Sequence, residues 1–506
     1  MAIASQTTEY DVSLQTQLDI NRASVCQALG YSLDLIIKDM TMFDGLKLTL
    51  FYMEGMVDSH FLHDMITNPI MRQKQSDSVV LFESQENKLH YLKDEVLTAS
   101  DTAVVTTLET LLTQLLLGDA IILVDGYAEG IRIGVQGQEE RSVSEPQTQS
   151  VVRGPMESFT ENIRTNTSLI RRKIRNPNLW LESQKIGRVT KTQVSMMYIQ
   201  NIASDTIVNE VRIRLNQIDI DGILESGYIE EFIQDRTLTP FATVFNSERP
   251  DTIAAGLLEG RVAILVDGTP FVLLVPALFV HFFQSSEDYY QRFDIATLLR
   301  LLRYISFFIT MFAPSFYIAI STFHQEMLPT NLLINLAAQR EGVPFPAFIE
   351  AMLMEITYEI LREAGVRMPR TVGQAVSIVG TLVIGQSAVQ AGIISAVMVI
   401  IVSITAISSY VIPASSMSIT VRMLRFVFMA LAASFGVYGI MIGVIGLILH
   451  LCKLRSFSFP YMSSFAPLNI KDQKDTLFRL PWPMMFTRPH CINTKNKYRQ
   501  KPKSET

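Results

Sequence analysis

Hydrophobic and polar positions change their rhythm near residue 268. Before it, apolar runs are short and broken by charges, as in Lys47–Tyr52 and Ile121–Val124. This is the texture of half-buried strands and amphipathic helices. Leu50–Met53 predicts a strand leading into a helical Met56–Thr67, and Val194–Ile199 predicts a strand leading into a helical Ala203–Leu215. After residue 268 the apolar runs lengthen. Phe271–Phe283 is short and contains Pro276, and predicts an interfacial, re-entrant or short tilted segment. Ser285–Arg303 is amphipathic. Tyr304–Phe323, with Pro314 inside, predicts a membrane span, as do Val372–Ala391, Gly392–Ile412 and Phe426–Leu451. The 51 residues between Arg370 and Arg422 contain no Asp, Glu, Lys or Arg. A spanning helix takes about 20 apolar residues, so this stretch holds two.

An internal repeat sharpens the first half. Leu115–Gly126 and Leu257–Gly268 agree at eight of twelve positions, at an offset of 142. Tyr52 and Tyr198, in the two predicted strand–helix units, lie 146 apart. Two matched features at nearly one offset predict two related α/β lobes, each ending in a strand closed by an Asp-Gly turn. The resulting division is a first lobe over 1–135, a polar linker over 136–150, a second lobe over 151–268, a helical membrane domain over 269–452 with about four to five segments, and a basic tail over 453–506. The fold class is α+β with membrane helices: two related α/β lobes in a soluble N-terminal half, then an α-helical multi-pass domain.

Composition fits. Charged residues are 18% of the chain and mean hydropathy is +0.24, whereas soluble domains carry roughly 25% charge. From Lys453 to the end, eleven Lys and Arg stand against Asp472, Asp475 and Glu505, a net of +8 within a chain whose net charge is −6. A basic segment directly after an apolar one marks the cytosolic side. The first 30 residues lack the pattern of a signal peptide, which places the N-terminal half in the cytosol as well. The number of full spans is then even, and four crossings plus a re-entrant 271–283 is the preferred count. Cys26, Cys452 and Cys491 form neither a disulfide framework nor a metal pair.

Candidate chemistry is sparse. No nucleotide-binding, metalloprotease or nucleophile-elbow motif occurs, so no catalytic, cofactor-binding or metal-ligating residue is assigned and an enzyme is not expected. His60 and His63 lack a third ligand nearby. The basic stretch Arg164–Arg175 lacks aromatic interleaving and reads as a solvated face, not a nucleic-acid site. The helix Pro346–Ala364 is more informative. Glu355, Glu359 and Glu363 form one stripe at i, i+4 and i+8, with Glu350 off it. Like charges at this spacing repel, so cations, arginines or water must offset them. The stripe is either a vestibule that gathers cations when copies assemble around an axis, or a solvated or partner-facing surface. In the charge-free region Gln386, Ser387 and Gln390 are polar groups that face either a wet path or another helix. Gly436, Gly439, Gly443 and Gly446 make a face for close helix packing.

Several segments carry a family resemblance: Arg153-Gly-Pro-Met-Glu-Ser-Phe-Thr-Glu, Glu248-Arg-Pro-Asp, Gly260-Arg-Val-Ala-Ile-Leu-Val-Asp-Gly-Thr-Pro, Glu287-Asp-Tyr-Tyr, Val343-Pro-Phe-Pro, Glu363-Ala-Gly-Val-Arg-Met-Pro-Arg and Ser377-Ile-Val-Gly-Thr-Leu-Val-Ile-Gly-Gln. Over roughly residues 40–490 the chain resembles the A subunit of the GerA-type spore germinant receptors. The resemblance implies a spore inner-membrane protein, a transporter-like B subunit and a lipoprotein C subunit as partners, and a membrane domain that oligomerises into an ion channel. A non-conducting scaffold and a solute transporter are the alternatives; no inverted repeat of the transporter kind is visible. Two departures stand out against the family pattern. Gln390 replaces a glutamate and Ala396 a proline. Met156 and Ser158 likewise replace the usual Arg and Gly.

Overall fold

The structure, a computed structural model, describes residues 10–42, 45–73, 89, 91–97, 99, 101–137, 145–368, 385–470, 472–489, 492 and 494–500. The chain forms two compact units. One comprises Met1–Gln234, Val244–Pro276 and Phe486–Thr506; the other comprises Asp235–Thr243 and Ala277–Met485.

The first unit holds two five-stranded sheets. In the first lobe, helix α1 (Leu18–Ala28) precedes β1 (Leu35–Thr41), β2 (Lys47–Met53), β3 (Thr102–Val105), helix α2 (Leu108–Leu117), β4 (Ala120–Val124) and β5 (Gly130–Ile133). Its sheet order is β1-β2-β4-β5-β3, antiparallel throughout. The second lobe contains α3 (Ile163–Lys173), β6 (Leu179–Ile186), β7 (Thr192–Ile199), α4 (Asp205–Asn216), α5 (Ser226–Ile233), β8 (Phe245–Ser247), α6 (Pro250–Leu258), β9 (Val262–Val266) and β10 (Val272–Val275). Its order, β6-β7-β9-β10-β8, is the same.

Registers match too. Leu50 pairs with Ile122 and Met196 with Ile264, so the repeat's offsets of 146 and 142 recur in the ladder. Each lobe's first helix is held by the same two devices. Asp125 accepts from the Leu18 N–H and Asp267 from the Ile163 N–H. Asn21 bonds both polar groups of the Gln15 backbone, as Asn166 does those of Thr160. In the first lobe both sheet faces are covered: Leu50, Ile122 and Val124 lie in one core cluster, Phe51, Ile121 and Leu123 in another. Burial on both faces explains why β4 and β9 read as unbroken apolar runs.

Phe271–Phe283 departs from expectation. Its first part is β10, between β9 and β8; its second, Phe279–Phe283, is a buried 3-10 turn. A short apolar run of this length has no periodicity to separate an interior strand from a membrane segment. The described residues between 486 and 500, read from sequence as tail, pack on the second lobe. Arg488 Nε donates to the Leu258 carbonyl at 2.8 Å, Lys495 pairs with Asp205 at 2.7 Å, and Arg499 with Glu259 at 3.1 Å.

The second unit is helical, with α7 (Phe293–Thr322), α8 (Thr330–Arg340), α9 (Ala347–Arg367), α10 (Ala396–Val411) and α11 (Ser415–Lys453). Among the described residues, α7 and α11 are long and apolar enough to cross a bilayer. The expected span Val372–Ala391 lies mostly outside the described residues; 385–390 form a short helix. Helix α11 is two legs. Gly436 at its centre has φ 60° and ψ −141°. A Cβ on Gly439 would strike the Leu431 carbonyl, and one on Gly443 would lie 2.5 Å from the Phe428 ring. Thr420 bonds the Pro240 carbonyl while His450 bonds Thr239 at 2.9 Å. Residues 16 before and 14 after Gly436 thus meet the same short segment, so 415–435 and 437–453 run antiparallel. The single span expected at Phe426–Leu451 is therefore a reversal, made possible by a glycine-only backbone conformation.

Candidate functional site

The acidic stripe lies on α9, facing the first leg of α11. Glu355 and Arg425 are both fully buried, with Arg425 Nη2 2.8 Å from Glu355 Oε2. The same Nη2 donates to Glu359 Oε1 at 3.3 Å, and Arg422 Nη1 donates to Glu359 Oε2 at 2.7 Å. Glu363 is exposed and pairs with Arg367 one turn on at 2.6 Å. Arginines therefore offset the repulsion along the upper stripe. Repulsion between carboxylates showed in the sequence, but the arginines close the charge-free stretch and carry no periodic link to α9, so the pairing itself did not show.

Several buried polar atoms of this cluster lack a hydrogen-bond partner: both Glu355 oxygens, Arg425 Nε and Nη1, Arg422 Nε and Arg362 Nη1. Such groups are costly in hydrocarbon unless hydrated or shared. Arg362 also lies 5.1 Å from the Tyr410 ring centre. Glu350 does different work. It is buried and accepts from the Ser395 N–H at 2.6 Å and from the Ser395 hydroxyl, while that hydroxyl caps α10 at Met398. Gln386, Ser387 and Gln390 are exposed on their short helix. Gly436, Gly439 and Gly443 shape the reversal of α11, whereas Gly446 has open space around its Cβ position.

In the first unit the basic stretch on α3 is not simply solvated. Arg171 is buried and donates to both Asp34 oxygens, at 2.7 and 3.0 Å, joining the two lobes. Arg164 pairs with Glu54 and Lys173 with Glu157. Nothing in the local sequence singled out Arg171 from its neighbours. A cleft of about 520 Å³ opens between Gly30 and Tyr31 on one side and Trp180, Tyr198 and Arg212 on the other. In it Glu182 accepts from Tyr198 at 2.6 Å and from two Arg212 nitrogens at 2.7 and 3.0 Å. Burial works against the Glu182 carboxylate, but the bonds from Arg212 and Tyr198 outweigh it and hold its pKa below the usual range. Burial and the Glu182 bond raise the Tyr198 phenol.

Two duplicated antiparallel lobes and a helical unit with a buried ion-pair ladder define an α+β protein whose helical portion includes helices long and apolar enough to cross a bilayer. A family model described as Bacillus/Clostridium GerA spore germination protein matches residues 23–491. The chain belongs to this family. It is 49% identical to spore germination protein KA of Bacillus subtilis (strain 168), over 98% of this chain and 90% of that protein. It is 39% identical to spore germination protein GerLA of Bacillus cereus, over 92% of this chain and 94% of that one. A crystal structure of the N-terminal domain of the A subunit of the Bacillus megaterium spore germinant receptor GerK3 is 39% identical, covering 53% of this chain and 98% of that one, with a TM-score of 0.42.

Proposed function

We propose that this protein is the multi-pass membrane subunit of a spore germinant receptor, coupling nutrient sensing to ion release in germination. It works with a transporter-like B subunit and a lipoprotein C subunit in the spore inner membrane, and its helical unit is the conducting oligomer. Family membership across residues 23–491 carries this reading.

Parity of the chain supports the topology. The helical unit is entered after Pro276 and left after Met485, and residues on both sides of it belong to one compact unit. A chain that enters and leaves a bilayer on the same face crosses it an even number of times. Helices α9 and α10 run in the same direction, since Glu350 meets Ser395 and Arg362 meets Tyr410.

The test is the mass of the full chain purified in detergent. A closed homo-oligomer supports the channel. One copy per B subunit overturns it in favour of a scaffold that only relays the signal. Impermeant thiol labelling of Cys491 in sealed cells would refute the cytosolic placement.

A further inference from the structure

The stripe on α9 has three acidic rungs, Glu355, Glu359 and Glu363, each one turn apart. The facing leg of α11 has two basic rungs, Arg422 and Arg425, three residues apart. On antiparallel helices this leaves one acidic rung over. Arg425 stands between two of them: closest to Glu355, at 2.8 Å, yet directing its Nη2–H bond to Glu359, at 3.3 Å. Neither oxygen of Glu355 receives an aligned hydrogen bond. Glu363, at the far end, is bonded on its own helix to Arg367, and both side chains are mostly exposed. Exposed pairs of this kind contribute little and exchange readily.

We infer that α9 and the first leg of α11 form a two-register slide. In the register seen, Arg425 and Arg422 engage Glu355 and Glu359. In the other, α9 is displaced by one turn and the same arginines engage Glu359 and Glu363. One turn is about 5.4 Å, a displacement that packed helices make between discrete states. Each arginine keeps a carboxylate partner through the move, because Glu359 serves in each register. What changes is Glu355, which loses its arginine while remaining buried. An unpaired buried carboxylate is strongly unfavourable, so Glu355 sets the resting preference. Glu350 adds to it, since its bonds to Ser395 must open for α9 to move. The surplus rung, puzzling as a static feature, is what a second register requires.

Two identical chemical changes eight residues apart should then act in opposite directions. Glu355→Gln removes the group that holds the resting register; Glu363→Gln removes the acceptor of the second. The measurement uses the full chain in lipid, with Cys26, Cys452 and Cys491 replaced by Ser. Spin labels are placed at Ile360→Cys and Met423→Cys, both exposed positions. Glu355→Gln is expected to add a second distance population absent from the parent, and Glu363→Gln to leave one. A folded Glu355→Gln protein with the parent's single distance overturns the slide.

Should Glu355→Gln fail to fold, Glu363→Gln still decides, because its side chain is exposed and its folding is not at risk. In spores given rich nutrient broth, it is expected to slow germination at least fivefold at unchanged protein level. Wild-type timing overturns the proposal. Slowing by both variants also overturns it, and points to a passive vestibule of carboxylates. This spore readout rests on the receptor reading given above. The distance measurement does not, so failure of one is distinguishable from failure of the other.

Discussion

Arg171 and Glu230 show how single side chains set the stability of the soluble lobes. Arg171 is buried, with both Asp34 oxygens and the Leu179 carbonyl as acceptors. Replacing it by Met strands a buried Asp34 carboxylate, and removing one partner of such a pair costs about 3–5 kcal/mol. Double replacement of Arg171 by Met and Asp34 by Leu should recover most of that loss, read as the urea midpoint of the first unit within the full chain. Glu230 works in the opposite sense. Burial pushes its carboxyl up to about 6. The Asn246 amide, at 3.4 Å, offsets this in part, and nearby Glu225 adds to it. The folded state therefore holds the proton more tightly than the unfolded chain between about pH 4.5 and 6. Stability is lost as pH rises through that window and stays lower above it. Glu230→Gln should remove this slope and stabilise α5 at neutral pH by about 1–2 kcal/mol, measured as slower amide exchange in 226–233 of the intact protein.

At the scale of elements, what was legible in the sequence followed from repetition and period. The matched Leu115–Gly126 and Leu257–Gly268 segments anticipated two strands that do occupy equivalent places in two sheets of one order. Length and periodicity anticipated α9 with its acidic stripe. What escaped depended on contacts between distant segments. β10 is four buried residues whose identity as a strand exists only through β8 and β9. The reversal at Gly436 was hidden because a glycine-rich apolar run reads alike whether straight or folded back.

Both corrections give tests. A fragment ending at residue 268 lacks β10 and leaves β8 without its partner, so it should unfold without cooperativity, whereas one ending at 276 should melt in a single transition by circular dichroism. Gly436→Ala must hold an alanine at φ 60°, ψ −141° with its Cβ 2.8 Å from the His324 ring. A cost of at least about 1–3 kcal/mol follows from the backbone alone. Gly446→Ala, in open space, should be neutral in membrane protein yield. Equal yields for the two variants would contradict the hairpin.

The molecule as a whole is tied together by its chain path. The backbone passes between the two compact units at 234–235, 243–244, 276–277 and 485–486. Its last stretch returns to the second lobe, where Arg488, Lys495 and Arg499 bind around the turn at Leu258–Gly260 and the start of α4. Truncation after Met485 should leave the helical unit intact but raise amide exchange at 258–261 and 200–206. Unchanged exchange there would mean that the strap contributes nothing to the lobe.

That returning strap also fixes an order of events during synthesis. Residues in 486–500 leave the ribosome long after the lobe they pack on, whose strands are finished by residue 275. The lobe stands open along that edge for as long as the intervening 209 residues of the helical unit, Ala277–Met485, are being made. Closure of the strap therefore waits on the whole of the helical unit. A chain that stops anywhere within 277–485 leaves the turn at Leu258–Gly260 without the side chains that cover it.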